Sequence, residues 1–389
     1  MASPISWARI ANTTIANYFP EVEVEILRSR RLGAMLESRG RIKMNVSGDG
    51  WDWKVQYRLP DVTTNDGTTV RIYAPQNCWK TATLAHRGYQ ATDAITYGEA
   101  LINSGKEAIV KVVNQIIRNL RQAIDDAMSE DYYIDGGATG NTERFEGIET
   151  FMDCTDGSGN LQTINTGSAG GTTEARTANA ADPVGFPSDT YAGLSTQLGT
   201  YGGSNRPGTT ATGPDNHWPN GVADTEFDFW TPLIVNYTST YFNGAAANWK
   251  EQCIEAMRFG IVHANRNASK HGQTDMYLLD RTLYVDALNK LDAKERVMVT
   301  AQNGLRSFGF KNVFELDGVE VSYEYGIPSA VGYGFNIDQF ELLSLQNKLI
   351  VTKGPMEHDE TQTWRSNASV LANLRFRSLR NFIKLSAIA

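Results

Sequence analysis

The stretch from Gly105 to Gly137, GKEAIVKVVNQIIRNLRQAIDDAMSEDYYIDGG, decides the fold. Apolar residues recur in it every three to four positions, a spacing typical of a helix that is buried along one face. Ser104, followed three residues later by Glu107, forms a capping-box pattern that predicts a helix start near Gly105, and the final Gly-Gly pair predicts its end. A helix of about 28 residues is roughly 42 Å long, so we expect the rest of the chain to be arranged around it. Its predicted core residues are Ile109, Val113, Ile116, Leu120 and Ile124.

Residues 50–59 form the clearest strand pattern in the chain. Large apolar residues occupy alternate positions and polar residues lie between them, a period of two. Turn residues follow, and Val70 and Ile72 predict a return strand, so the segment is interpreted as a long β-hairpin with an aromatic face. Because two tryptophans on one face are costly to leave in water, either the same chain or a neighbouring copy must cover that face. The face consists of Trp51, Trp53, Val55 and Tyr57.

The remaining segments combine helical and extended patterns in mixed order. Residues 153–226 are rich in Gly, Thr, Ser and Asn, which predicts an insertion of loops and short strands. A second amphipathic helix is predicted over residues 245–264, and Asp280 is a predicted N-cap between the apolar strand 276–279 and a further helix. Extended patterns follow at residues 319–325, 334–345 and 369–385. This order predicts the α+β class.

The N-terminal residues 1–41 show no single period. Acidic residues are followed by the basic residues Arg28, Arg30 and Arg31. We interpret this segment as an arm that lies across other surfaces, with a loose N-terminal helix of the same domain as the alternative.

Composition and motifs point away from catalysis. A net charge of -8 argues against a dedicated high-affinity nucleic-acid binder. The three cysteines (Cys78, Cys154 and Cys253) are far apart, as expected of free thiols, and no apolar run approaches the roughly 18 residues of a membrane span. The usual catalytic and phosphate-binding motifs are missing and the five histidines are scattered. No catalytic, metal-binding or cofactor-binding residue is therefore predicted.

Four passages, taken in their order along the chain, resemble one protein family. They are RGYQATDAITYGEALINSG (87–105), DGGATGNTERFEGIETF (135–151), TDMYLLDRTLYVDALNKL (274–291) and DGVEVSYEYGIPSAVGYGFNIDQFEL (317–342). Together with the arm, hairpin and long helix they resemble the major capsid proteins of tailed bacteriophages, which have the Hong Kong 97 capsid fold. The resemblance covers nearly the whole chain except residues 153–226.

The resemblance implies a division of the chain into named parts. It implies an N-arm, an extended loop containing the hairpin, a spine helix within a peripheral domain, an insertion subdomain, and an axial domain. The boundaries expected are 1–41 for the N-arm, 42–97 for the extended loop, 98–152 for the spine helix and peripheral domain, 153–226 for the insertion, 227–269 for a second peripheral segment, 270–360 for the axial domain and 361–389 for the peripheral closing strand.

The resemblance also implies a function. Copies of the chain would assemble as pentamers and hexamers into an icosahedral shell around double-stranded DNA, in a virion assembled in the host cytoplasm. Partners would be other copies, a portal, scaffolding or decoration proteins and DNA through non-specific contacts, with no membrane. The hairpin face (Trp51, Trp53, Val55, Tyr57) and the arm residues Arg28, Arg30 and Arg31 would contact neighbouring subunits. Hinges are expected at Gly40, Gly48 and Gly88.

Two departures from the family pattern carry further expectations. The prototype of the fold joins a loop Lys to an Asn with the help of a Glu near the closing strands. Lys54 and Lys80 are available here, but no Glu follows Glu360, so we expect a non-covalent shell. Because the sequence reaches its arm almost at once, a scaffold is expected to be a separate protein. The alternatives are an encapsulin-like compartment shell and, more distantly, a carbohydrate-binding or other β-rich phage structural module.

Overall fold

The structure is a computed structural model of the 389-residue chain. It describes residues 31–56, 65–68, 73, 75, 79–96, 98, 108–152, 164–165, 175–176, 184–185, 187, 189–196, 230, 232–244, 247–265, 272–291, 313–358 and 363–387. Helices and strands follow one another in irregular order along the described residues. The class is therefore α+β, as the sequence predicts.

The long helix is present. Helix α1 spans Arg31–Ser38, and the long helix, α2, spans Ala108–Asp131, which is 24 residues. The predicted start near Gly105 and the side chains of Ile109 and Val113 lie outside the described residues. The predicted face continues from there as a buried stripe of Ile116, Leu120, Ile124 and Met128.

Gly136 does not end the helix in the way that the sequence suggests. The helix ends at Asp131, five residues earlier, and the chain then turns towards Phe145 and Glu146. A Cβ on Gly136 would lie 2.5 Å from the carbonyl oxygen of Phe145 and 2.8 Å from Cα of Glu146. Glycine is required here because two backbone segments pass at contact distance.

A five-stranded sheet lies against α2. Its strands run in the order β1-β15-β17-β16, and β4 pairs with the other side of β17 from Thr363 to Ala372. β15 and β16 follow one another along β17, so the sheet is three strands wide over much of its length. The strands are β1 (Ile42–Lys43), β4 (Arg87–Thr96), β15 (Phe340–Ser344), β16 (Val351–His358) and β17 (Thr363–Phe376).

The strand that begins at Trp51 is present and pairs with a strand that the sequence analysis did not predict. β2 (Trp51–Gln56) pairs antiparallel with β3 (Trp79–Leu84), with Trp51 opposite Leu84 and Gln56 opposite Trp79. The predicted return strand around Val70 and Ile72 lies outside the described residues.

A seven-stranded sheet forms the second layer, in the order β12-β13-β11-β14-β18-β10-β7. β11 is buried on both faces, which explains its continuous apolar sequence. Met276 and Leu278 face the core shared with α1, α2 and the five-stranded sheet (the first core), whereas Tyr277 and Leu279 face a second core. The strands are β7 (Val184–Gly185), β10 (Leu233–Asn236), β11 (Met276–Leu279), β12 (Phe314–Leu316), β13 (Val319–Tyr323), β14 (Gly332–Phe335) and β18 (Ile383–Ser386).

Three helices accompany the seven-stranded sheet, and two of them build the second core. α3 spans Thr240–Asn243, α4 spans Trp249–Ala264 with Asn248 as N-cap, and α5 spans Arg281–Lys290 with the predicted N-cap Asp280. The apolar residues of α4 and α5 pack against β10, β11, β13 and β18. Cys253 lies in this core as a free thiol, and burial raises its pKa to about 11.

Two of the expected segments pack with parts of the chain outside them, while their boundaries as domains stay predictions. Segment 227–269 was expected to join the long helix in a peripheral unit, but β10 and α4 belong to the second core with residues of the expected axial domain. Segment 361–389 divides, because β17 lies in the five-stranded sheet and β18 pairs with β10 and β14 in the seven-stranded one. Apolar alternation identifies a strand but not its partner, so the sequence could not assign these memberships.

Residues 153–226 contribute short strands to the described part of the chain. β5 (Ile164–Asn165) pairs with β6 (Ala175–Arg176), and β8 (Thr190–Tyr191) pairs with β9 (Leu194–Ser195). β7 pairs with β10, so this segment also supplies an edge of the seven-stranded sheet.

Candidate functional site

Arg31 is buried inside its own chain. Its guanidinium lies 3.9 Å from the ring centroid of Tyr323 and donates a hydrogen bond to the Tyr323 carbonyl oxygen, and only 3% of the residue is exposed. Arg31, which was expected to contact a neighbouring subunit, is therefore held by β13 of its own chain. Arg28 and Arg30 lie outside the described residues.

Glu324 holds the start of α1 to the body. Its carboxylate accepts hydrogen bonds from the Leu32 backbone N–H at 2.9 Å and from the Tyr133 hydroxyl at 3.2 Å. Complete burial of the carboxyl raises its pKa to about 7, although these donors and the Arg31 charge oppose the shift. Glu324 thereby connects α1, the segment after α2 and the end of β13.

Three basic residues after α1 form ion pairs with the sheets. Arg39 contacts Asp275 at 3.0 Å, Arg41 contacts Asp338 at 2.5 Å, and Lys43 contacts Glu341 at 2.9 Å. Arg39 lies in the turn that ends α1, and Arg41 and Lys43 follow at two-residue spacing as the chain becomes extended into β1. This spacing was the available signal for them, and the sequence analysis missed it.

The acids of these pairs respond differently to burial. Burial of Asp275 raises its pKa to about 6, against the opposing charge of Arg39. Burial also raises the pKa of Glu341, but the hydrogen bond from Lys43 and the charge of Arg375 outweigh that effect, so its pKa is lowered overall. Although Glu341 is fully buried, its lowered pKa keeps the carboxylate charged among these cations.

The aromatic face of the hairpin lies against its own chain. Trp51 is 4% exposed and Val55 is 5% exposed. The Trp51 indole N–H donates to the Val46 carbonyl oxygen at 3.1 Å, and the ring packs against His86 at 4.3 Å between centroids. Trp51 and Val55, which were expected at an inter-subunit contact, are therefore covered by their own chain.

The other members of that face are less enclosed. Trp53 is half-buried, with its ring 6.3 Å from the Tyr191 ring and 5.8 Å from the Arg375 guanidinium, and Tyr57 lies outside the described residues. Among the described residues between β2 and the end of β3, Tyr73 is 88% exposed and Trp79 is 54% exposed.

The three expected hinge glycines differ in their surroundings. Gly40 has φ +63° directly after α1, where Arg41 N–H bonds the Leu36 carbonyl, so it acts as a helix cap. Gly48 has φ +148° in the segment before β2. Gly88 is not a hinge: it lies within β4 opposite Leu371, and a Cβ would approach a methyl carbon of that leucine to 2.8 Å.

A polar and aromatic seam joins α2 to the seven-stranded sheet. The rings of Tyr133 and Tyr333 stack at 5.6 Å between centroids. The Lys384 ammonium lies 2.6 Å from the Glu149 carboxylate, which also accepts a hydrogen bond from the Tyr333 hydroxyl. These residues come from distant parts of the sequence, and no local pattern points to the contacts between them.

Tyr191 lies in the first core, although residues 153–226 were expected to form a separate insertion. Its side chain is fully buried and its hydroxyl bonds two backbone groups of β17. A second aromatic group lies on α3 and α4, where the ring centroids of Tyr241, Phe242 and Phe259 are 5.4–5.7 Å apart. Tyr241 is exposed, whereas Phe242 and Phe259 are partly buried against the second core. The structure thus exposes aromatic residues on the extended loop and beside α4.

Within the described residues, no group of three or more His, Cys, Asp or Glu side chains could hold a metal ion. None of the described helices is both long and apolar enough to cross a membrane.

Comparison with known proteins places the fold. No known protein family and no curated protein matches the sequence. Among solved structures, the chain is similar to a chain of the cyanophage A-1(L) capsid asymmetric unit, with 15% identity, a TM-score of 0.54, and coverage of 96% of this chain and 98% of that one. It is also similar to a chain of the capsid of the native GTA particle, with 11% identity, a TM-score of 0.50 and complete coverage of both chains. The predicted resemblance is confirmed at the level of the fold: this chain has the fold of phage capsid proteins.

Proposed function

We propose that this chain is the major capsid protein of a tailed phage, whose copies assemble as pentamers and hexamers into an icosahedral shell that encloses double-stranded DNA. The observation that carries the proposal is the capsid fold over essentially the full length of the chain. The proposed location is the virion, after assembly in the host cytoplasm.

The extended loop supports self-assembly. An isolated two-stranded hairpin is marginal in water, and the β2–β3 hairpin is anchored by Trp51 and Val55 while Tyr73 and Trp79 remain exposed. Large aromatic side chains are enriched at the centres of protein interfaces. We therefore propose that Tyr73 and Trp79, not Trp51 and Val55, contact the neighbouring subunit.

The proposed partners beyond other copies are a portal and scaffolding or decoration proteins. Contacts with the enclosed DNA would be few and non-specific, because a chain with a net charge of -8 provides little overall attraction for phosphates. We propose that the shell is non-covalent, since no Glu follows Glu360 to promote a bond from Lys54 or Lys80.

Assembly of the full chain tests the proposal. The chain would be expressed, separated by size-exclusion chromatography and imaged by electron microscopy, alone and with candidate scaffold from the same source. Closed shells or rings of five and six subunits are the expected result, and boiling in denaturant should return all protein to a single-chain band. A chain that remains monomeric at high concentration in both preparations would contradict the proposal.

A further inference from the structure

The segment from Asp189 to Thr196 forms a small closed hairpin. Its two-residue turn, Ala192-Gly193, has φ +50° and +76°, the left-handed conformation of a type I′ turn. Thr196 N–H bonds the Asp189 carbonyl at 2.7 Å, and the Thr196 hydroxyl donates to the same oxygen at 3.0 Å. These hydrogen bonds lie within the hairpin and close it at its base. We name it the Tyr191 hairpin.

Tyr191 forms hydrogen bonds with β17 beyond the residues that pair with β4. Pairing of β17 with β4 ends at Ala372. Beyond that point, the Tyr191 hydroxyl donates to the Leu374 carbonyl at 2.9 Å and accepts from the Phe376 N–H at 3.1 Å. The ring packs against Phe151 and Phe376 at 5.5 and 5.4 Å between centroids. One side chain therefore completes both the hydrogen bonding and the packing at this end of β17.

The turn of the same hairpin bonds the extended loop. The Ala192 carbonyl accepts a hydrogen bond from Thr83 N–H of β3 at 3.0 Å. Burial raises the pKa of the nearby Glu146 carboxyl, and the Ala192 backbone N–H is among the groups that oppose this shift. The same carboxylate pairs with Arg87 at 3.2 Å at the start of β4. The turn thus connects the returning strand of the extended loop with the segment that follows α2.

We propose that the Tyr191 hairpin is a clasp that fixes the direction in which the β2–β3 hairpin leaves the body of the subunit. When the clasp is in place, the Thr83 N–H of β3 is bonded to Ala192, and the neighbouring Tyr191 is bonded to β17. When the clasp is displaced, β2 and β3 keep their mutual pairing but lose this anchor and move relative to β17. Its consequence for shell geometry rests on the proposed function, whereas the clasp itself is a property of the single chain.

Hydrogen exchange in Tyr191→Phe tests the clasp. The substitution keeps the ring and removes the hydroxyl that bonds Leu374 and Phe376. We expect amide exchange in Trp51–Gln56 and Trp79–Leu84 to become about tenfold faster, as for the loss of one buried hydrogen bond, with α4, α5 and β11 unchanged. The matched control is Tyr277→Phe, which removes a fully buried hydroxyl bonded to the Met257 carbonyl in the second core.

A second variant acts without altering Tyr191. Thr196→Val removes the hydroxyl that closes the hairpin and is expected to speed exchange in the same two strands, by less than Tyr191→Phe. Unchanged exchange in both strands for both variants would overturn the proposal, as would a uniform increase over all slow amides, which would make Tyr191 an ordinary core residue. Equal effects of Tyr277→Phe on the two strands would also overturn it. Because exchange is measured on unassembled chain, none of these outcomes depends on whether shells form.

Discussion

The carboxylate of Glu324 lies 2.9 Å from the backbone nitrogen of Leu32 and accepts its hydrogen bond at the first turn of α1. A carboxylate at a helix N-terminus is favourable because the free N–H groups there carry partial positive charge. The same carboxyl is completely buried, which favours its neutral form. These opposed effects make the attachment of α1 sensitive to pH.

The first prediction is a loss of stability with rising pH that depends on Glu324. Its pKa rises from an ordinary 4.5 to about 7 in the folded chain. Between these values the folded state binds more protons than the unfolded state, so its contribution is complete below pH 4.5 and is lost as pH rises through 7. Relative to Glu324→Gln, we expect the free energy of unfolding of the natural chain to fall by up to about 3 kcal/mol across this range.

Chemical denaturation at a series of pH values measures this difference. Glu324→Gln keeps an oxygen that accepts from Leu32 and Tyr133 but does not titrate. Asp275, whose pKa is raised to about 6, contributes in the same direction in both proteins and cancels in the comparison. Parallel pH profiles for the two proteins would show that Glu324 does not titrate in this range.

The second prediction concerns the ion pair of Lys384 and Glu149, which lie 2.6 Å apart in the seam. Lys384→Met should cost about 3 kcal/mol of unfolding free energy, because it leaves the largely buried Glu149 carboxylate without its cation. The double variant Glu149→Gln/Lys384→Met should recover about 1 kcal/mol or more of that loss, since the glutamine still accepts from Tyr333 and carries no charge. Additive losses in the double-mutant cycle would show that the two residues are energetically independent.

The third prediction compares two exposed alanines. Ala330 has φ +60°. Its N–H donates to the Asp280 carboxylate at 3.2 Å, and its carbonyl accepts from the Tyr237 hydroxyl at 3.0 Å, so this conformation is fixed. Because the left-handed conformation is costly for alanine, Ala330→Gly should stabilise the chain by about 0.5 kcal/mol after the greater entropy of the unfolded glycine is subtracted. Denaturant midpoints measure the change.

The matched substitution is Ala123→Gly, on the exposed side of α2. It should destabilise the chain by about 1 kcal/mol, because glycine is a poor residue in the interior of a helix. If Ala330→Gly destabilised the chain as Ala123→Gly does, relief of the left-handed conformation would contribute nothing at position 330.

The sequence predicts elements better than it predicts their partners. The buried stripe Ile116, Leu120 and Ile124 followed from helical periodicity, and Asp280 followed from capping chemistry. The strand beginning at Trp51 was also predicted, but its pairing with β3 was not, because a period of two defines a face and leaves the pairing strand open. The return strand predicted around Val70 and Ile72 lies outside the described residues. The covering of Trp51 by its own chain depends on the pairing with β3.

The candidate site depends almost wholly on contacts between distant residues. Glu324 and Leu32 are 292 positions apart, and Tyr191 is 183 positions from Leu374. Each of these residues is unremarkable within its own local sequence. Only the placement of β13 beside α1, and of the Tyr191 hairpin beside β17, brings these residues into contact.

The fourth prediction separates folding from assembly with two tryptophans of the same hairpin. Trp51 is 4% exposed and packs in the first core, so Trp51→Ala should cost about 3–5 kcal/mol of unfolding free energy. Trp79 is 54% exposed, so Trp79→Ala should change stability by less than about 1 kcal/mol. In the proposed shell, however, Trp79 lies at a contact between subunits, where loss of a large aromatic side chain typically costs about 2 kcal/mol or more of binding.

We therefore expect Trp79→Ala to remain folded and to yield fewer closed shells, whereas Trp51→Ala should lose stability before assembly is reached. Denaturant unfolding and electron microscopy of the same preparations measure the two effects. Tyr241→Ala, at an exposed aromatic residue of α3, is the control for a general loss of surface aromatic area. If Trp79→Ala assembles as the natural chain does, the contact surface of the extended loop must be sought in residues other than Trp79.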